Sequence, residues 1–348
     1  MLSPGSTTWT LRLEFEGHEH SNRIKVNGQT IGYLPSQTWA DMWVSAALPV
    51  PADLLRVGYN EVAVEVGRAI PDCQAPGNAW DELLFRRVRL ERGSEVWRQQ
   101  STPTPVLSPE DREMTITVVF DNNAIRPGPQ TAWGFGAIVQ YGGRTLLFDT
   151  GGDGRMLLAN MAALGFAPGD LDAIVLSHEH ADHTGGLEAV LRQNPNATVY
   201  LPQAFSASFK ERVRTLGGRW VEVSGPLEIM PGLWSTGQMG DSIVEQGLVV
   251  KTASGLTLIT GCAHPGIVEM VRRAQELGRG EIDLVLGGFH LGGATKNALD
   301  GIMASFRELG VAHVAPCHCT GEQAVTAFAA TYGAHYTRCG AGLVIQRE

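Results

Sequence analysis

Cysteine is scarce in this chain: five among 348 residues, at Cys73, Cys262, Cys317, Cys319 and Cys339. So thin and odd a set excludes a disulfide scaffold and predicts a reducing, cytoplasmic compartment. Positive charge is in deficit, with 27 Lys and Arg against 36 Asp and Glu and a formal net charge of −9. A free-standing nucleic-acid binder needs a basic face to displace counterions from phosphates, so nucleic acid is not an expected partner. The same deficit disfavours an anionic membrane surface. Apolar runs long enough to span a membrane are missing, and no charged start followed by an apolar core marks a secretory leader. Neither a G-x-x-x-x-G-K-[ST] loop nor a G-x-S-x-G elbow occurs, which removes P-loop nucleotide hydrolysis and elbow-type serine chemistry.

What is present is globular. Hydrophobic residues make up 43% and charged residues 18%, and the length favours two domains, each able to bury a core. The expected partner is a small-molecule substrate, with an oligomer left open. Within residues 1–100, "WTLRLEFEG", "NRIKVNGQTIGYL", "NEVAVEVGR" and "ELLFRRVRLER" alternate apolar and polar side chains. That period predicts strands with one buried face. Asn27-Gly28 is a hairpin signal, because both residues tolerate positive φ. The expectation is an all-β sandwich, and the "VNGQTIG", "GYNEVAVEV" and "DELLFRRVRL" strings resemble galactose-binding-like accessory domains. Residues 101–113, "STPTPVLSPEDRE", read as a linker. From Met114 to Glu348, strand and helix patterns alternate, which predicts an α/β layered domain.

The densest chemistry lies in "SHEHADHTGG". The buried strand "DAIVLS" precedes it and the helix "GGLEAVLRQNP", running to Pro195, follows. His178 and His180 are two apart, so an extended chain points both the same way. Asp182 and His183 fall at the turn into the helix. Incidental polarity explains a lone loop histidine. It does not explain three imidazoles and a carboxylate within six residues at the end of a buried strand. Neutral imidazoles suit zinc, iron or manganese, and the aspartate adds an oxygen ligand.

H-x-H-x-D-H after a buried strand resembles the signature of the metallo-β-lactamase superfamily. "TLLFDTG", "GLTLITGC" and "APCHCTG" resemble its other motifs, in the family's order. The resemblance implies a four-layer αββα fold over residues 114–348 and two divalent cations, zinc first, with manganese or iron as alternatives. It implies that His178 and His180 serve the first cation, and Asp182, His183 and His318 the second, with Asp149 supporting the loop. Cys262 stands where the family usually has a bridging aspartate. His264 is the natural substitute for a third histidine, since "STGQMGDSIVEQG" contains none. "TGCAHPGI", "LGGFHLGG" and "PCHCTGEQA" resemble the branch of dihydropterin–ribofuranosylaminobenzene-phosphate synthase-like proteins.

The implied activity is dinuclear metal-dependent hydrolysis, in which activated hydroxide attacks a phosphoester, an ester or a lactone. Asp182, His264 and His290 are the residues expected at the chemistry, with either histidine protonating the leaving group. The alternatives are a pterin-linked carbon–carbon synthase releasing pyrophosphate and a glycan-binding module on a non-catalytic hydrolase fold. A two-iron redox centre would need a flavin or donor module, and no such pattern occurs. Cys317 and Cys319 flank His318 and face opposite to it in a strand, so they are expected in the core, with a ligand role as the alternative. Trp133 and Phe135 are expected in the core too, although the aromatics could also pad a pocket. Asp121, Asn122 and Asn123 read as a turn near the cleft, and His18 and His20 as solvated.

Overall fold

The computed structural model describes residues 8–16, 23–33, 44–51, 54–55, 62–65, 84–93 and 112–348. Cys73, His18, His20 and residues 101–111 of the expected linker lie outside them. The chain divides into two compact units, Met1–Pro105 and Val106–Glu348. Among the described residues no helix is long and apolar enough to cross a membrane.

The first unit contains β1 (Thr8–Glu16), β2 (Arg23–Val26), β3 (Gln29–Tyr33), β4 (Val44–Val50), β5 (Val62–Glu65) and β6 (Leu84–Gly93). They form two antiparallel three-stranded sheets, ordered β4-β1-β6 and β3-β2-β5. Asn27 and Gly28 turn the β2–β3 hairpin with φ of 49° and 86°, as their tolerance of positive φ predicts. Leu11, Val50, Ile24 and Val26 form one core drawn from both sheets.

The second unit has two larger sheets. One contains β7 (Met114–Phe120), β8 (Gly136–Tyr141), β9 (Arg144–Phe148), β10 (Ala173–Val175), β11 (Thr198–Pro202), β12 (Arg219–Val223) and β19 (Val344–Arg347), in the order β12-β11-β10-β9-β8-β7-β19. The other runs in sequence order through β13 (Leu227–Met230), β14 (Leu233–Ser235), β15 (Leu248–Thr252), β16 (Gly255–Thr260), β17 (Ile282–Gly288) and β18 (His313–Cys317). Strand alternation divides the apolar residues between cores. Ile116, Val139, Phe148 and Val175 meet Val250, Ile259, Leu284 and Leu286 between the sheets. Ile138, Leu147 and Ile174 point the other way, toward α1 (Gly154–Ala163), α3 (Leu187–Leu191) and α4 (Ala207–Thr215). Leu258 and Val285 pack under α5 (Ile267–Gly278), α6 (Lys296–Glu308) and α7 (Glu322–Tyr332). Burial on both faces explains the nearly continuous apolar runs of these strands. The layers are helix, sheet, sheet, helix.

One expected helix is shorter than its pattern. The segment read as a helix to Pro195 is helical over α3, Leu187–Leu191, and the turn read before it forms a short α2 (Ala181–Thr184). Gly186 between them passes so close to Thr150 that a Cβ would lie 2.2 Å from its carbonyl oxygen. This contact ties the start of α3 to the loop after β9.

Candidate metal centre

Parallel neighbours deliver their C-terminal ends to one place. Asp149 follows β9, Ser177 and His178 follow β10, Cys262 and His264 follow β16, His290 follows β17, and His318 follows β18. Gly261 is where the sheets' ends touch: a Cβ there would lie 2.1 Å from Ser177 Oγ and 2.9 Å from Asp149 Oδ2. Asp149, Ala263, His290 and His318 adopt φ between 50° and 59°. Each such non-glycine conformation costs on the order of 1–3 kcal/mol and persists only where its surroundings hold it.

His178 and His180 do face the same way, with Nε2 and Nδ1 3.0 Å apart. Glu179, between them, turns away and accepts from Ser206 N at 2.6 Å. The His264 ring closes on both, with centroids 4.7 and 5.1 Å away. Beside this group, His183 Nε2 faces His318 Nε2 at 3.2 Å, Cys262 Sγ at 3.3 Å and Asp182 Oδ2 at 3.6 Å. His178, His180 and His264 present their ligand atoms within 4.8 Å of one another, as do Asp182, His183 and His318, and also His178, His183 and Cys262.

These spacings test the fit of a cation. Two imidazole nitrogens bound to one tetrahedral zinc stand about 3.4 Å apart, given Zn–N bonds near 2.0–2.1 Å. Several lone-pair atoms that face one another at such distances cannot all be satisfied by ring protons, whereas a cation at their centre satisfies them together. The donor set is nitrogen-rich with one carboxylate and one sulfur, which suits zinc and its neighbours.

Outer partners orient the rings. The Asp149 carboxylate accepts from Ser177 N at 2.7 Å and from Ser177 Oγ at 2.6 Å, and pairs with His183 Nδ1 at 2.7 Å. Burial pushes the Asp149 carboxyl up, and the His183 ring beside it pulls it back. His183 is itself disfavoured as a cation by burial, but Asp149 outweighs that and raises its basicity. Burial, and then the neighbouring His183, lower His178 to about 2, so its ring is neutral, as a metal ligand must be. Burial pushes Asp182 up too, yet His318 and His183 hold it below the ordinary carboxylate range.

Three of these supports went unrecognised in sequence. Glu245 is fully buried and accepts from the backbone N–H groups of Cys262, Ala263 and His264 at 2.8, 2.8 and 2.9 Å. Its Oε2 also pairs with His264 Nδ1 at 2.8 Å. Burial would raise its carboxyl, but His264, His178 and the N–H groups bring it down to about 2. Ser177 was read only as the strand's last residue. Asp121, expected in a turn, is fully buried and accepts from His318 N at 3.1 Å. For Asp121 the available signal was an acidic residue directly after the apolar strand "MTITVVF".

The remaining candidates divide. His290 is exposed, with its ring 4.5 Å from that of His264. Cys317 and Phe135 lie in the core between the sheets. Cys319 does not share that fate. The strand ends at Cys317, and a tight turn over His318–Thr320 swings Cys319 toward Cys262 and His290. Trp133 likewise departs from the core expectation: it is 59% exposed and its ring lies 4.9 Å from that of His318.

A family profile described as the metallo-beta-lactamase superfamily matches residues 136–286. The chain is 31% identical over 248 residues to a Methanocaldococcus jannaschii protein named 7,8-dihydropterin-6-methyl-4-(beta-D-ribofuranosyl)-aminobenzene-5'-phosphate synthase, covering 58% of this chain and 84% of that one. The crystal structure of Tm1679, a metal-dependent hydrolase of the beta-lactamase superfamily, superposes with a TM-score of 0.56 at 30% identity, covering 67% of this chain and 98% of that one. The Bacillus subtilis protein YhfI shares the fold, with a TM-score of 0.51 at 16% identity over 68% of this chain and 100% of that one.

Proposed function

This chain belongs to the metallo-beta-lactamase superfamily and is a metal-dependent hydrolase of that fold; on that premise we propose that it uses two divalent cations to hydrolyse a small phosphoester. A related ester or lactone falls under the same reading. Zinc is the first choice, with manganese or iron as alternatives. The observation that supports two cations is the pair of ligand sets, one nitrogen-only and one mixed, that abut where the His178 and His183 rings stand 4.2 Å apart. His178, His180 and His264 would hold the first cation. Asp182, His183 and His318 would hold the second, with Cys262 in place of a bridging aspartate.

Cations held by these residues would lower the pKa of a water toward about 7 and would take up developing negative charge. The protein's own groups do the rest. Glu245 occupies His264 Nδ1 and leaves Nε2 for the site. That makes His264 a ligand, and the exposed His290 beside it becomes the group that carries a proton to the leaving oxygen. Trp133 offers an exposed indole face at the rim, where a flat substituent on the substrate would stack. Stripping metal with a chelator should abolish turnover on a phosphoester and lactone panel, and zinc or manganese should restore it. Activity that survives complete metal removal defeats the proposal.

A second reading draws support from the Methanocaldococcus relative, whose length is largely covered. It is carbon–carbon bond formation onto a pterin with release of pyrophosphate. Incubation with a dihydropterin diphosphate and an aminobenzene co-substrate, read as pyrophosphate, separates the two. We also propose that residues 1–100 are a galactose-binding-like β-sandwich joined through residues 101–113 to the catalytic domain at 114–348. The core shared by two antiparallel sheets supports this, and a glycan array probed with the full chain tests it. A cytoplasmic location and a small-molecule substrate, without nucleic acid or membrane, complete the reading.

A further inference from the structure

One cluster at the edge of the centre adds Cys319, which the proposed reaction does not use, to Cys262 and His290, which it does. Cys262 Sγ, Cys319 Sγ and a ring nitrogen of His290 all lie within 4.8 Å of one another. The backbone is shaped to bring them together. Gly288 leaves open the space that Cys319 occupies: a Cβ there would stand 2.7 Å from Cys319 Sγ and 3.3 Å from Cys262 Cα. Thr320 Oγ1 accepts from Phe289 N at 3.1 Å and donates to Cys317 O at 2.6 Å. It thus locks the turn bearing Cys319 against the loop bearing His290. Both His290 and His318 hold positive φ, 50° and 51°, to reach this arrangement.

Two sulfurs and one imidazole are the donor set of a thiophilic cation, with solvent able to fill a fourth tetrahedral position. Cys262 is shared, since its sulfur also stands 3.3 Å from His183 Nε2. A thiolate has lone pairs enough to bridge two cations. We propose that Cys262, His290 and Cys319 form a third, thiophilic cation site whose occupation inhibits the enzyme. Cys262, already a thiolate on the second cation, lends a second lone pair. As the new sulfur–metal bond forms at Cys319 its thiol proton passes to solvent, and His290 gives up the lone pair it needs to carry a proton. The inhibition, though not the binding, rests on the functional reading above.

The full-length protein, loaded with two equivalents of zinc and kept reduced, is titrated with cadmium. Binding is read as bound-metal stoichiometry and as sulfur-to-cadmium charge-transfer absorption, inhibition as the midpoint of activity loss. Wild type should take one further equivalent with a rise in that absorption. Cys319→Ser should lose that equivalent and shift the inhibition midpoint at least about tenfold, no less than the loss of an outer partner costs a metal site. Cys317→Ser, which alters the nearby core thiol, should keep both. A wild type that stops at two equivalents, or a Cys319→Ser protein that still takes the third, overturns the proposal. The stoichiometry and absorption need no turnover. Failure of every substrate would therefore defeat the functional reading and leave this one standing.

Discussion

Glu245→Gln is the sharpest single perturbation of this centre. The native carboxylate accepts four bonds: Oε1 from the N–H groups of Cys262 and Ala263, Oε2 from the N–H of His264 and from its ring Nδ1. Glutamine keeps one acceptor oxygen. With the NH2 at the Oε1 position two backbone N–H groups lose their partner; at the Oε2 position the His264 N–H does, while its ring can change tautomer and accept from the NH2. At about 1–3 kcal/mol for each orphaned donor, the change costs about 1–6 kcal/mol. The upper end is a large part of the roughly 5–15 kcal/mol by which domains are stable. Ala263 sits at φ 59° inside the same turn, with its N–H directed at Glu245 Oε1. His264 also exchanges its orienting carboxylate for an amide, which should weaken first-site metal binding about 10–100-fold.

The assays are urea unfolding of the metal-free protein and zinc competition against a chromophoric chelator. The pH dependence adds a check of sign. Glu245 in the folded protein is held down to about 2, below its ordinary 4.5. The unfolded chain therefore binds the proton first as pH falls, and the stability this group contributes is complete above 4.5 and lost toward 2. The difference between wild type and Glu245→Gln should be flat at neutral pH and shrink across that acid window. A variant with unchanged urea midpoint and unchanged zinc affinity would refute the role assigned to Glu245.

His290→Ala should lower kcat about 10²–10⁴-fold with little change in KM, with the two-cation content unchanged by mass spectrometry; an unaltered kcat removes it as proton carrier. Trp133→Ala should raise KM for an aryl phosphoester by a factor equivalent to about 0.5–1.5 kcal/mol and spare an alkyl one, as read by steady-state kinetics on both. Gly186→Ala would thrust a methyl to 2.2 Å from Thr150 O and 2.7 Å from Leu157 Cδ2, and should destabilise the fold by about 1–3 kcal/mol in denaturant titration.

The convergence of the candidate ligands that lie close in sequence was legible, because "HEHADH" needs only strand alternation and one turn to bring its side chains together. Asp149, Cys262 and His318 required the resemblance, since each arrives from a different strand. Glu245 escaped notice because a buried carboxylate in a polar loop looks like any solvated one. Only the fold sets its oxygens against the N–H groups of residues 17 to 19 positions away. Cys319 was assigned by strand alternation, and that rule lapses once the strand ends at Cys317. The short strands β12, β13, β14 and β19 were not foreseen. Three to five residues carry too little periodicity, and β19 forms against β7, far away in sequence.

Determined by the sequence alone were the things local chemistry and period decide: two kinds of unit, the strand-rich cores, and a knot of imidazoles at the end of a buried strand. Tertiary structure alone decided which side chains complete and orient that knot. Hydrogen bonds and metal ligands act within a few ångströms of space, and distance along the chain says nothing about distance across two packed sheets.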